Sequence, residues 1–133
     1  MSSIIDWKRL EREASAVRAR AYAPYSRFEV GAALLTKSGE VYVGCNVENA
    51  SYGAAICAER AAVAQAVAAG EREFVALALV TGADRPTPPC GICRQVLSEH
   101  SPSLCVRSFA AGQEVEYTLQ ELLPHPFSAA DLD

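Results

Sequence analysis

Residues 74–81, Phe-Val-Ala-Leu-Ala-Leu-Val-Thr, form an unbroken apolar run. Eight residues suit a strand better than a helix, and a strand without polar alternation fits burial on both faces. A chain holding such a strand must cover it with structure on either side. The flanking sequence supplies helices for that purpose. Trp7, Leu10, Ala14, Val17 and Ala21 recur at spacings of three and four, which predicts an amphipathic helix over residues 4–21. Ser3 and Asp6 form an S-x-x-D cap at its start, and Pro24 lies beyond its end. Ile56–Ala69 is dense in alanine and closed by Gly70, predicting a second helix. A third is expected from Gly91 to His100, and the capping box Thr118–Glu121 opens a short fourth.

The remaining strands follow from the same patterning. Phe28–Leu35 and Glu40–Asn46 flank Lys37-Ser38-Gly39, a hairpin signal. Leu104–Phe109 and Glu114–Tyr117 read as the last two strands, and Gly82–Pro89, with three prolines, as a loop. The order α-β-β-α-β-α-β-β-α predicts an α/β fold, a three-layer α/β/α arrangement around one mixed five-stranded sheet. At 133 residues, without internal repeats or low-complexity linkers, residues 1–133 are expected to form one domain.

Charge and composition exclude several classes of partner. The net charge is −4, with no basic stripe to track a phosphate backbone, so a nucleic-acid partner is not expected. No apolar run approaches the roughly 18 residues of a membrane span. Asp6 and Trp7 stand where a signal peptide would carry basic and apolar stretches, which predicts a cytoplasmic protein. Five cysteines do not suit a complete disulfide framework, and reduced thiols are free to bind metal.

Three of those cysteines fall where loops enter helices. Cys57 is placed in the first turn of the alanine-rich helix, and Cys90-Gly91-Ile92-Cys93 opens the next. A helix N-terminus offers free N–H groups and partial positive charge, which favour the thiolate that zinc binds. Cysteines at i and i+3 can clasp one ion, and a third ligand from another helix leaves a tetrahedral ion one position open. An open position is the pattern of a catalytic zinc. Glu59 could then take a proton from the attacking water without being a ligand. Three thiolates leave a zinc centre net negative, and the guanidinium of Arg60 beside them would restore its acidity. Other readings of the cysteines exist. A redox C-x-x-C pair is disfavoured because the motif lies apart from any N-terminal βαβ unit. A closed structural site would need a fourth ligand from Cys45, Cys105, His100 or His125.

Cys57-Ala58-Glu59 with Pro89-Cys90-Gly91-Ile92-Cys93 is similar to the signature of the zinc-dependent nucleoside and base deaminases. Within that group the chain resembles the cytidine deaminases of the small homotetrameric type. Ala23-Pro24-Tyr25-Ser26 with Phe28 and Val30–Ala33, then Gly44–Ala50, then Glu121–Pro124 with Phe127 and Asp131-Leu132, extend the likeness nearly end to end. The resemblance implies one zinc per chain on Cys57, Cys90 and Cys93, with Glu59 shuttling protons. It implies hydrolysis of cytidine and 2′-deoxycytidine to uridine and 2′-deoxyuridine plus ammonia, in pyrimidine salvage. It also implies that Asn46 and Glu48 bond the ribose hydroxyls, Phe28 packs on the pyrimidine and the Ala58 N–H meets the base carbonyl. Ala50 and Tyr52 would face the 5′-hydroxyl, and Phe127 would reach a neighbour's site in a homotetramer with shared active sites.

Departures from the family pattern are two. Pro88 stands where the family has serine, yet proline keeps the backbone carbonyl that would hold the leaving amino group. Ile92 replaces a small residue and is expected to crowd the site slightly. Residues Arg107–Val115 match poorly and are assigned no role. A blasticidin-type deaminase would need neither Asn46 with Glu48 nor an Arg after C-A-E. A non-catalytic zinc module would need no Glu59, and an editing deaminase would need a basic track.

Overall fold

The computed structural model describes residues 4–132. Five strands form one sheet in the order β2-β1-β3-β4-β5: β1 Val30–Thr36, β2 Val41–Cys45, β3 Phe74–Thr81, β4 Cys105–Ala110 and β5 Gln113–Thr118. Only β3 and β4 pair in parallel; every other neighbouring pair is antiparallel. The strand anticipated from the apolar run is β3, residue for residue, and it lies at the centre. Its side chains feed two cores. On one face Leu10 and Ala14 of α1 (Trp7–Arg18) pack with Ala33, Ala76, Ala78 and Phe109. On the other, Ala58, Ala62, Val63 and Ala66 of α2 (Ala58–Ala68) join Leu34, Leu77, Leu79, Val106 and Leu97 of α3 (Gly91–His100). The three-layer α/β/α arrangement is therefore present.

Local chemistry sets the helix ends, and some differ from expectation. Asp6 itself caps α1, its Oδ1 accepting from Arg9 N at 3.1 Å, so the helix starts at Trp7 and not at residue 4. Ser3 lies outside the described residues. The far end stops at Arg18 because Tyr22 is drawn away to pair with Val47. Gly70, with φ +97°, follows the C-cap Ala69 of α2, the left-handed position glycine takes at no steric cost. At α4 (Leu119–Leu122) the expected box forms: Thr118 accepts from Glu121 N, and the Glu121 carboxylate accepts from Thr118 N at 2.8 Å. Among the described residues no helix is long and apolar enough to cross a membrane.

The approach of α2 to the sheet is set by one residue. A Cβ on Gly44 of β2 would lie 2.5 Å from both Ala58 O and Ala62 N. The helix thus rests its backbone almost directly on β2, and its N-terminus is carried to the edge of the β3–loop–α3 junction.

Candidate active site

Cys57 is the N-cap of α2 and Cys90 the N-cap of α3, both extended, with ψ 155° and 170°. The expectation that Cys57 lies within the first turn is corrected by one residue. As a cap it stands before the helix and projects toward the second one. Cys93 is buried in the first turn of α3. The Sγ atoms of Cys57 and Cys90 are 3.8 Å apart, those of Cys90 and Cys93 3.5 Å, and all three lie within 4.8 Å of one another. Zinc–sulfur bonds of about 2.3 Å at tetrahedral angles put sulfurs roughly 3.8 Å apart, so the donor set fits one zinc ion. Among the described residues no further His, Cys, Asp or Glu joins this group. Cys45 and Cys105 sit at strand ends, and His100 packs its ring on Phe74 with centroids 5.1 Å apart. Three protein ligands leave the fourth position free.

The electrostatics favour a thiolate at Cys57. The Cys57 thiol is pulled down to about 5, first by a hydrogen bond from Cys93 and then, against its own burial, by the Arg60 guanidinium. Cys93 is pushed up in turn by its bond to Cys57 and by burial. Arg60 Nη2 lies 3.6 Å from the Cys57 sulfur, while Nε is buried without a hydrogen-bond partner. A cation held in this way answers the excess negative charge of a three-thiolate site.

Glu59, in the first turn of α2, is 6% exposed. Burial pushes its carboxyl up to about 7. It lines a cavity of about 250 Å³ together with Cys57, Cys90, Ala58, Asn46 and Phe28, and with Val30, Leu79, Thr87 and Pro88. The Ala58 N–H, first in the helix, has no carbonyl four residues back to bind. Ile92, expected to crowd the site, is 61% exposed and is not among the residues that line this cavity.

The expected substrate contacts divide into groups. Phe28, Asn46 and Ala58 reach the cavity. The Asn46 amide is already engaged: Oδ1 accepts from Val30 N at 2.8 Å and Nδ2 donates to Phe28 O at 2.7 Å. One N–H and one lone pair remain. Glu48 and Tyr52 line an adjacent cleft of about 360 Å³ with Tyr25, Ser26 and Asn49. There the Glu48 carboxylate accepts from Tyr25 N and Ser26 N and from the Ser26 hydroxyl, which holds it below the usual range. Ala50 is exposed on the intervening loop. Phe127 is exposed and outside the cavity, its carbonyl accepting from Gln95 Nε2 at 2.7 Å.

Sequence reasoning named the Pro88 carbonyl of the loop wall but missed Thr87 and the bonds that hold the loop. Thr87 N donates to the fully buried Ser108 Oγ at 3.0 Å, and Arg94 Nε donates to Pro89 O at 2.8 Å. The signal available was Thr87 itself, the single N–H in Pro86-Thr87-Pro88-Pro89.

Residues 6–108 match the family described as the cytidine and deoxycytidylate deaminase zinc-binding region. The chain is 48% identical over 131 residues to a cytidine deaminase of Halalkalibacterium halodurans, covering 97% of this chain and 99% of that one. It is 44% identical over 128 residues to the cytidine deaminase of Mycobacterium tuberculosis, covering 96% and 94%. The crystal structure of cytidine deaminase from Burkholderia pseudomallei superposes with a TM-score of 0.89 at 47% identity, covering 92% of this chain and all of that one. Likeness of this extent reaches both the sheet and the cysteine-bearing helix starts, and on that ground the chain belongs to the zinc-binding family of cytidine and deoxycytidylate deaminases.

Proposed function

We propose that the chain catalyses the hydrolytic, zinc-dependent deamination of cytidine and 2′-deoxycytidine to uridine and 2′-deoxyuridine, with release of ammonia. The observation that carries this reading is Glu59: a carboxyl buried beside three clustered thiols, raised to about 7, and not itself in the ligand group. A group poised there can both take and give a proton near neutral pH. Cys57, Cys90 and Cys93 hold the zinc, which when bound supplies Lewis-acid activation of the attacking water. Glu59 accepts the water's first proton and delivers it to the ring nitrogen, making C4 electrophilic, and the water's oxygen bonds to C4. Glu59 then takes the second proton from the new C4 hydroxyl and passes it to the amino group, so that the C4–N bond breaks, the C4 carbonyl forms and ammonia departs. The departing amine carries N–H donors, and the Thr87 and Pro88 carbonyls at the cavity wall are supported as their acceptors.

The rest of the cavity orients the base and sugar. The Ala58 N–H donates to the base carbonyl, and Phe28 packs on the pyrimidine face. The free N–H of Asn46 and the remaining lone pair of Glu48 meet ribose hydroxyls. Ala50 and Tyr52 face the 5′ end. Arg60 tempers the charge of the thiolates. Residues 1–133 act as one domain, in the cytoplasm, in pyrimidine salvage. The exposure of Tyr52 and Phe127, 78% and 59%, supports a homotetramer in which these rings complete neighbouring sites.

The test is direct. Protein carrying one zinc per chain is incubated with cytidine, and ammonia and uridine are measured. Equimolar formation of both is expected; their absence in zinc-loaded protein overturns the reading.

A further inference from the structure

We infer that Ser108 is a positioning residue for departure of the amino group, acting through the loop at Thr87 and Pro88. The inference rests on the deaminase reading above. The segment Pro86-Thr87-Pro88-Pro89 contains three residues without an N–H, so Thr87 offers its only backbone donor. That donor is spent on the Ser108 hydroxyl at 3.0 Å. The other hold on the segment is Arg94 Nε, 2.8 Å from the Pro89 carbonyl. Between these two points the carbonyls of Thr87 and Pro88 accept no hydrogen bond from the described residues, and both residues line the cavity with Glu59 and Cys57. Two fixed points therefore frame two unbonded carbonyls on residues of the wall that Glu59 and Cys57 share.

The placement of Ser108 is otherwise hard to account for. It is 0% exposed on β4, paired with Leu79 on one side and Val115 on the other. Strand alternation puts it on the same face as Val106, under α2 and α3. A hydroxyl buried among apolar side chains costs free energy unless it is bonded. The Thr87 N–H is the bond it makes. Leu79, its neighbour across the β3–β4 pairing, also lines the cavity, so β4 reaches the site through both its partner strand and the loop.

Ser108→Ala removes the acceptor and little else. The variant should fold and hold one zinc per chain, melting a few degrees below the parent for the Thr87 N–H left without its partner. Its kcat on cytidine should fall on the order of tenfold, since small misplacements of positioned groups carry costs of that size or more. The discriminating readout is a cytidine analogue with hydrogen in place of the 4-amino group, used as a competitive inhibitor. Having no amino group to seat, it should keep its inhibition constant within about twofold in Ser108→Ala. Ser108→Thr, which retains the hydroxyl, should restore most of the lost kcat. Unchanged kcat in Ser108→Ala overturns the inference. So does a parallel loss of analogue affinity, which would mean that the hydroxyl merely keeps the cavity formed. A Ser108→Ala chain that fails to fold or to hold zinc overturns it as well, by assigning the hydroxyl to the fold. The parent's own turnover of cytidine, measured alongside, tests the deaminase reading separately.

Discussion

Glu59 meets two demands that rarely coincide in a carboxylate. In the proposed reaction it sits beside the cluster of cysteine ligands and still carries a proton near neutral pH. Burial at 6% exposure meets the second demand, because removal from water disfavours the charged form. Glu59→Gln keeps shape and hydrogen bonding but cannot transfer a proton. It should retain zinc and lose on the order of 10²–10⁴ in turnover; zinc-loaded Glu59→Gln with near-parent kcat would remove the residue from the reaction. In the proposed reading Arg60, whose Nη2 lies 3.6 Å from the Cys57 sulfur, acts on the thiolates instead of the substrate. Arg60→Ala should weaken zinc retention against a chelator roughly 10- to 100-fold, the usual cost of losing a group that supports a ligand, with Arg60→Gln milder. Equal retention in all three proteins would leave Arg60 with no charge-balancing part. These residues were legible because spacing along the chain encodes them: Cys90 and Cys93 lie three apart on one helix, and Glu59 follows Cys57 by two. Ser108 was not legible. A serine in an apolar strand carries no local signal, and its partner Thr87 lies 21 residues away.

At the level of elements, the apolar run of β3 and the box at Thr118 and Glu121 were readable because each answers a local rule. The ends of α1 and the cap position of Cys57 were not, because they depend on what the chain does next. Tyr22 leaves α1 to pair with Val47, and Cys57 stays extended as Ile56 pairs with the same residue. Gly44 shows the same limit. In sequence it is one glycine of a strand; in the fold it is where α2 rests on β2. Gly44→Ala forces a methyl to within 2.5 Å of two backbone atoms. The helix must back away, at a cost of about 1–3 kcal/mol. A fall of several degrees in melting temperature is expected, together with faster zinc loss, since Cys57 caps the displaced end. An unchanged melting temperature would show that α2 tolerates the larger separation.

For the whole molecule, the proposed homotetramer would cover the exposed aromatic residues Tyr25, Tyr52 and Phe127. Light scattering should give a mass about four times 14.2 kDa. If Phe127 completes a neighbour's cavity, Glu59→Gln and Phe127→Ala chains, each inactive alone, should recover part of the activity when mixed and reassembled. No recovery in verified mixed assemblies would confine each site to its own chain. The placement of Cys57 and Cys90 at the heads of two separate helices also has a meaning in polymer terms. A metal ion joining them is a cross-link that closes a loop of 33 residues. Such a closure removes freedom chiefly from the unfolded chain. A ligand at a thousand times its dissociation constant adds about 4 kcal/mol to stability. Chelation should therefore lower the melting temperature, and amide exchange should quicken first at the starts of α2 and α3 while β3 stays protected. In this protein the ion that serves the chemistry is also a knot in the chain.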